Sequence, residues 1–146
     1  FIPFQAKRSI VKWDDKKSDK KIERLAKIAK EAAEQSYRHF VPKVLNSLSF
    51  QQLLKESEHY DMKIVAYEEQ AKSGEMKNLA KALANAKEGD SILVVVGPEG
   101  GLTNEEVTFL EEAGFLPCSF GPRILRTETA PLYFLGAVSY HFEMLR

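Results

Sequence analysis

The chain has 146 residues, 44% of them hydrophobic, which is enough for one domain with a proper core and too few for two ordinary ones. Its 21 Lys and Arg balance 21 Asp and Glu, so charge alone argues against a general nucleic-acid binder, and its single cysteine excludes an internal disulfide and a cysteine metal cluster. Apolar runs such as Ile92 to Val96 are far too short to span a bilayer. The chain therefore reads as soluble, without a membrane or metal partner, and a lone thiol at Cys118 suits a reducing cytoplasm.

Phe1 to Val11 reads as a strand and Lys12 to Lys20 as a polar loop. From Lys21 to His39 the apolar positions Ile22, Leu25, Ala26, Ala29, Ala32 and Ala33 recur at helical spacing, which predicts an amphipathic helix ended by Pro42. Lys43 to Leu45 is expected as a short strand, and Ser49 as the cap of a short helix carrying Leu53 and Leu54. Met62 to Tyr67 is a buried strand, Leu79 to Ala86 a helix, and Ser91 to Val96 the most apolar strand. A helix follows from about Asn104 to Ala113, stopped by Gly114, then a strand from Phe115 to Phe120. The last helix starts near Thr129 and is expected to bury Leu132, Leu135, Val138 and Phe142. Strands alternating with helices predict an α/β fold, a mostly parallel sheet with helices on both faces.

The charge is uneven along the chain. Phe1 to Leu45 carries 12 Lys or Arg against 6 Asp or Glu, a net +6, and the remainder carries 9 against 15, a net −6. Lys7, Arg8, Lys12, Lys16 and Lys17 stand in the basic part and suit a phosphate backbone as well as they suit a solvated loop. Trp13 reads as an aromatic anchor at a strand end or a surface for stacking. His39, His59 and His141 form no metal or triad pattern.

Two segments carry the chemistry. Val96 runs into Gly97-Pro98-Glu99-Gly100-Gly101-Leu102-Thr103, where glycines permit positive φ and bring bare main chain to a ligand, and Thr103 with Glu106 writes a capping box. Phe120-Gly121-Pro122-Arg123-Ile124-Leu125-Arg126-Thr127-Glu128-Thr129-Ala130 repeats that grammar of strand, glycine-proline turn and helix. Ligands of open α/β sheets collect beyond the carboxyl ends of the strands, so two such loops predict one shared crevice. Neither loop is a Walker A or a dinucleotide fingerprint.

These two motifs, with Ala33-Glu34-Gln35, Arg38 and Pro42 upstream, resemble the SPOUT methyltransferases, and among them the ribosomal RNA small-subunit methyltransferase E family. The resemblance covers nearly the whole chain. It implies a C-terminal trefoil knot, a homodimer, and transfer of a methyl group from S-adenosyl-L-methionine to a uridine N3 in small-subunit ribosomal RNA. It also implies that residues 1–146 are a catalytic domain lacking its first helix and the family's N-terminal β-barrel RNA-binding domain. That is in keeping with an opening, Phe1-Ile2-Pro3-Phe4, that reads as the inside of a strand. A SPOUT enzyme acting on transfer RNA and a non-catalytic RNA-binding scaffold are the alternatives.

Carried onto this chain, the resemblance gives the cofactor Gly97, Pro98, Glu99, Gly100, Gly101 and Leu102 from the first loop. From the second it gives Phe120, Gly121, Ile124, Leu125 and Thr127. Arg126, Glu99 and Arg38 are the catalytic candidates: the arginines to stabilise negative charge developing on the uracil ring, the carboxylate to assist with its proton. Arg38 is offered from the partner subunit. Arg123, Gln35, Arg38 and Arg8 are expected on RNA, Gln35 and Arg38 sharing a helix face, and Glu128 is expected to serve the start of the last helix.

Overall fold

In the computed structural model, which describes residues 1–10, 15–69 and 77–145, the chain opens with a two-residue strand, Phe4–Gln5 (β1). It pairs in parallel with Leu48–Ser49 (β2), Phe4 opposite Leu48 and Gln5 opposite Ser49. The expected strand from Phe1 to Val11 is thus much shorter, and Val11, Lys12, Trp13 and Asp14 lie outside the described residues. Lys43 to Leu45 is not a strand, although the Leu45 amide donates to the Phe1 carbonyl at 2.9 Å.

The first helix, Asp15–Gln35 (α1), begins earlier than its apolar spacing announces. Its first turns are so polar that they read as a loop, yet a largely exposed helix needs little apolar content. Pairs four apart, Lys27 with Glu31 and Lys30 with Glu34, add modest support. Of the expected stripe only Ala33 is buried; Ile22, Leu25 and Ala29 are half-buried, and Ala26 and Ala32 are exposed. Pro42 does not end the helix. Tyr37 does, by taking φ 51° while its amide donates to the Glu34 carbonyl and that of Arg38 reaches back to Ala33. This is a Schellman closure with tyrosine where glycine is usual.

Ser49 caps Phe50–Glu56 (α2) as its sequence predicts, the structure adding a reciprocal box with Gln52, and a 3₁₀ turn, Ser57–His59, follows. The main sheet has three parallel strands, Met62–Ala66 (β3), Ile92–Val96 (β4) and Leu116–Cys118 (β5), in the order β4-β3-β5. Asn78–Asn85 (α3), Asn104–Glu112 (α4) and Thr129–Ser139 (α5) complete the described elements, with a π turn at Tyr140–Met144. Gly114, at φ 88°, terminates α4 as expected.

Strand side chains alternate between faces, and both faces of β3 are covered: Ile64 and Val65 are each fully buried, in different cores. Val65, Leu93 and Val95 pack with Leu53 of α2 and Val107 and Leu110 of α4. Ile64 and Cys118 pack with Leu79, Ala82 and Leu83 of α3 and Ala130 and Phe134 of α5. Helices therefore cover the sheet on both sides.

The last helix corrects one expectation. Leu132 is 68% and Leu135 61% exposed, and the buried positions are Ala130 and Phe134, with Ala137 and Val138 packed beside them. In a segment apolar nearly all round, more than one stripe fits a 3.6-residue period, and spacing alone does not choose between them. Val138 and Phe142 do pack against the core as expected. No helix among the described residues is long and apolar enough to cross a membrane.

Candidate functional site

In register, Ala66 lies opposite Val96 on one side and Cys118 on the other, so all three strands end at one edge. The segments that leave there, beginning at Tyr67, Gly97 and Ser119, line a cleft of about 1310 Å³. β3 is central, which sets its exit between the two glycine-proline loops. The Tyr67 amide donates to the Cys118 carbonyl at 2.9 Å, and the Tyr67 hydroxyl to the Asn104 side-chain oxygen at 3.1 Å. Tyr67, Glu68 and Glu69 line the cleft and were missed from sequence, where a strand followed by two glutamates carries no motif.

The first loop is built for close approach more than for unusual dihedrals. The Gly101 amide donates to the Pro98 carbonyl at 2.8 Å, closing a tight turn, and Gly101 takes φ 69°. Gly97 and Gly100, expected to share that freedom, do not use it. A Cβ on Gly97 would stand 3.0 Å from Leu102 Cγ and 3.1 Å from the Leu102 nitrogen; one on Gly100 would stand 3.2 Å from Arg8 Cβ. Leu102, 6% exposed, both lines the cleft and belongs to the core.

The helix start beyond it is pinned as the capping box predicts. The Thr103 amide and hydroxyl donate to Glu106 Oε2 at 2.8 and 3.0 Å, and the Glu106 amide returns to the Thr103 hydroxyl at 3.2 Å. Glu106 is 2% exposed, and its other oxygen accepts from the Lys7 amide at 2.8 Å. The Lys7 ammonium pairs with Glu105, and that hydrogen bond raises its pKa.

In the second loop Gly121 takes φ 89° and Phe120 is buried, stacked on Phe134 at 5.8 Å and Tyr133 at 6.1 Å between centroids. Leu125 leans on the core, whereas Ile124 is 72% exposed. The Arg126 carbonyl accepts from the amides of Thr129 and Ala130, fixing this loop to the first turn of α5. Its guanidinium is largely exposed, 3.9 Å from Glu128. Glu128 holds the N-cap position of α5 but makes no side-chain cap bond.

Every expected cofactor residue lines the one cleft, together with Arg123, Arg126 and Arg8. Arg8 has work that sequence did not indicate: Nη1 donates to the Gly100 carbonyl at 3.0 Å and reaches the Leu102 carbonyl at 3.4 Å. Gln35 and Arg38 stand apart from the cleft. They share no helix face, because α1 ends at Gln35 and Arg38 follows the left-handed Tyr37. Arg38 instead lines a smaller hollow of about 440 Å³ with His39, Phe40, Val41 and Pro42.

A sheet whose glycine loops meet at its carboxyl edge is the architecture of a nucleotide-type ligand site, and comparison with known proteins gives it a family. Residues 1–139 match the model of the RNA methyltransferase domain, and the chain belongs to that family. Over 146 residues, all of this chain and 57% of the relative, it is 58% identical to ribosomal RNA small subunit methyltransferase E of Bacillus subtilis.

Among solved structures, the Neisseria gonorrhoeae ribosomal RNA small subunit methyltransferase E bound to S-adenosyl methionine is similar at TM-score 0.75 and 33% identity. That match covers 94% of this chain and 52% of the other. A putative methyltransferase from Legionella pneumophila in complex with the same cofactor is similar at TM-score 0.82 and 29% identity, covering 94% and 53%. The chain has the SPOUT fold and spans about half the length of the relatives it matches.

Proposed function

We propose that the chain is a methyltransferase domain that uses S-adenosylmethionine to methylate a uridine N3 of small-subunit ribosomal RNA, as a homodimer in the cytoplasm. One observation carries this reading: two glycine-proline loops, distant in sequence, close on one cleft at the carboxyl edge of a parallel sheet. The Neisseria gonorrhoeae and Legionella pneumophila structures that carry the cofactor, and the family model, support it.

The residues present fit that cofactor. Small-molecule sites occupy roughly 300 to 1,000 Å³, and a cleft of about 1310 Å³ leaves room for a nucleobase beside the cofactor. At Gly97 and Gly100 the loop offers main chain where a Cβ would crowd Leu102 and Arg8 respectively, and Leu125 and Phe120 give an apolar wall. When bound, the cofactor supplies a methyl group activated by a sulfonium.

The protein's part is to orient the uracil and to ease loss of its imide proton. Arg126 and Arg123, at the cleft, stabilise negative charge on the ring oxygens as the proton leaves, and Glu99, one of the carboxylates lining the same cleft, accepts it. Holding the ring nitrogen in line supplies much of the rate. Arg38 and Gln35, remote from their own cleft, serve that of a second copy. Leu132 and Leu135, exposed on α5, are the kind of apolar stripe that a second copy covers.

Calorimetry with S-adenosylmethionine and S-adenosylhomocysteine tests the first half, and a folded protein that binds neither overturns it. Mass mapping of nucleosides in treated small-subunit RNA tests the second, and a methyl group on any base other than uracil overturns that.

A further inference from the structure

Arg8 lies 92 residues before Gly100 in sequence, yet its guanidinium Nη1 bonds the Gly100 carbonyl at 3.0 Å and reaches that of Leu102 at 3.4 Å. These carbonyls flank Gly101, the residue of the turn held at positive φ. The neighbouring Lys7 fastens the same segment to the helix beyond the turn, its amide on the buried Glu106 and its ammonium on Glu105. The turn is therefore clamped at its top and at its exit, with Arg8 itself standing at the cleft.

Given the cofactor reading above, on which this rests, we infer that Arg8 is a positioning residue: it fixes the Pro98–Leu102 main chain in the shape that receives the cofactor. A guanidinium suits the task because its donors lie in a rigid plane. A charged donor on a carbonyl makes a strong hydrogen bond. The role differs from an RNA contact, because Nη1 is directed at the protein's own loop. Binding to a loop already shaped avoids the cost of ordering it.

The test is calorimetry and steady-state kinetics on Arg8→Ala, Arg8→Lys and Gly100→Ala, each checked for folding by its thermal melt. Gly100→Ala attacks the same contact from the other side, since its Cβ meets Arg8 Cβ at 3.2 Å without left-handed strain. Arg8→Ala and Gly100→Ala are each expected to raise the Kd for S-adenosylmethionine about tenfold, and in Arg8→Ala kcat at saturating cofactor stays within about twofold. Arg8→Lys is expected to restore part of the affinity, because one ammonium reaches one carbonyl.

A cofactor Kd within twofold of the parent in Arg8→Ala overturns the inference, as does an equal Kd accompanied by weaker RNA binding, which returns Arg8 to the substrate. If the parent protein itself binds no S-adenosylmethionine, the cofactor reading fails, and that result is distinct from failure of the arginine's role.

Discussion

The hydroxyl of Tyr67 donates to the side-chain oxygen of Asn104 at 3.1 Å, tying the exit of the central strand to the first residue of the helix that follows the glycine turn. The bond crosses from one wall of the cleft to another. A neutral hydrogen bond of this kind contributes roughly 0.5 to 1.5 kcal/mol. Tyr67→Phe is expected to lower stability in urea by about that amount and to weaken S-adenosylmethionine binding about three- to tenfold. Equal affinity in calorimetry would remove the bond from the site.

Gly97 and Gly101 are needed for different reasons, and substitution separates them. Gly101→Ala meets no atom within 4 Å, so its cost is the left-handed φ alone, about 1 to 2 kcal/mol. Gly97→Ala has no such strain but drives a Cβ into Leu102, whose backbone nitrogen at 3.1 Å is as close as its side chain. Trimming the neighbour with Leu102→Ala is therefore expected not to rescue Gly97→Ala. Recovery of cofactor affinity in the double variant would mean that the side chain alone made the crowding.

Arg126 is exposed and 3.9 Å from Glu128, so removing its head shifts stability little. On the proposed reading Arg126→Ala keeps cofactor affinity and lowers kcat by about 10² or more, the scale of losing one donor to a developing oxyanion. Single-turnover methyl transfer checks this. Full activity would give the charge-stabilising task to Arg123.

Glu106 is buried and its two oxygens serve the Lys7 amide and both donors of Thr103. Truncation in Glu106→Ala leaves backbone donors unsatisfied in a dry place, at about 1 to 3 kcal/mol for each such group. A loss of about 2 to 4 kcal/mol in urea denaturation is expected.

Asp61 accepts from the Ser91 hydroxyl at 2.7 Å and the Ser91 amide at 2.9 Å, and these bonds, the hydroxyl's first, hold its pKa below the ordinary carboxylate value. A depressed folded-state pKa adds stability above the unfolded value, and that stability is lost as pH falls through the folded value. Asp61→Asn should therefore flatten the acid side of the stability profile and leave its alkaline side unchanged. A profile of unaltered slope below pH 4 would contradict this.

Much of this molecule is legible in its residues, for identifiable reasons. The Thr103 capping box, the Ser49 cap and the Gly114 stop announce helix ends because each answers a local hydrogen-bonding need. The two loops are legible because their glycines are dictated by main-chain geometry. What escaped depends on distance along the chain. Arg8 reads as one more basic residue until Gly100 folds beside it, and Tyr67 gains meaning only from lying between two loops. The start of α1 escaped because an exposed helix needs no apolar stripe, and the buried side of α5 because its sequence offers several.

Leu102 belongs at once to the interior of the domain and to the wall of the cleft, 3.0 Å from where any side chain on Gly97 would begin. Repacking the interior and retuning recognition are consequently not independent operations in this protein. A substitution chosen to raise its melting temperature through Leu102 will be read out by the ligand as well, so thermostabilising designs have freer scope at core positions away from the cleft, such as Leu53, Leu79 and Leu83.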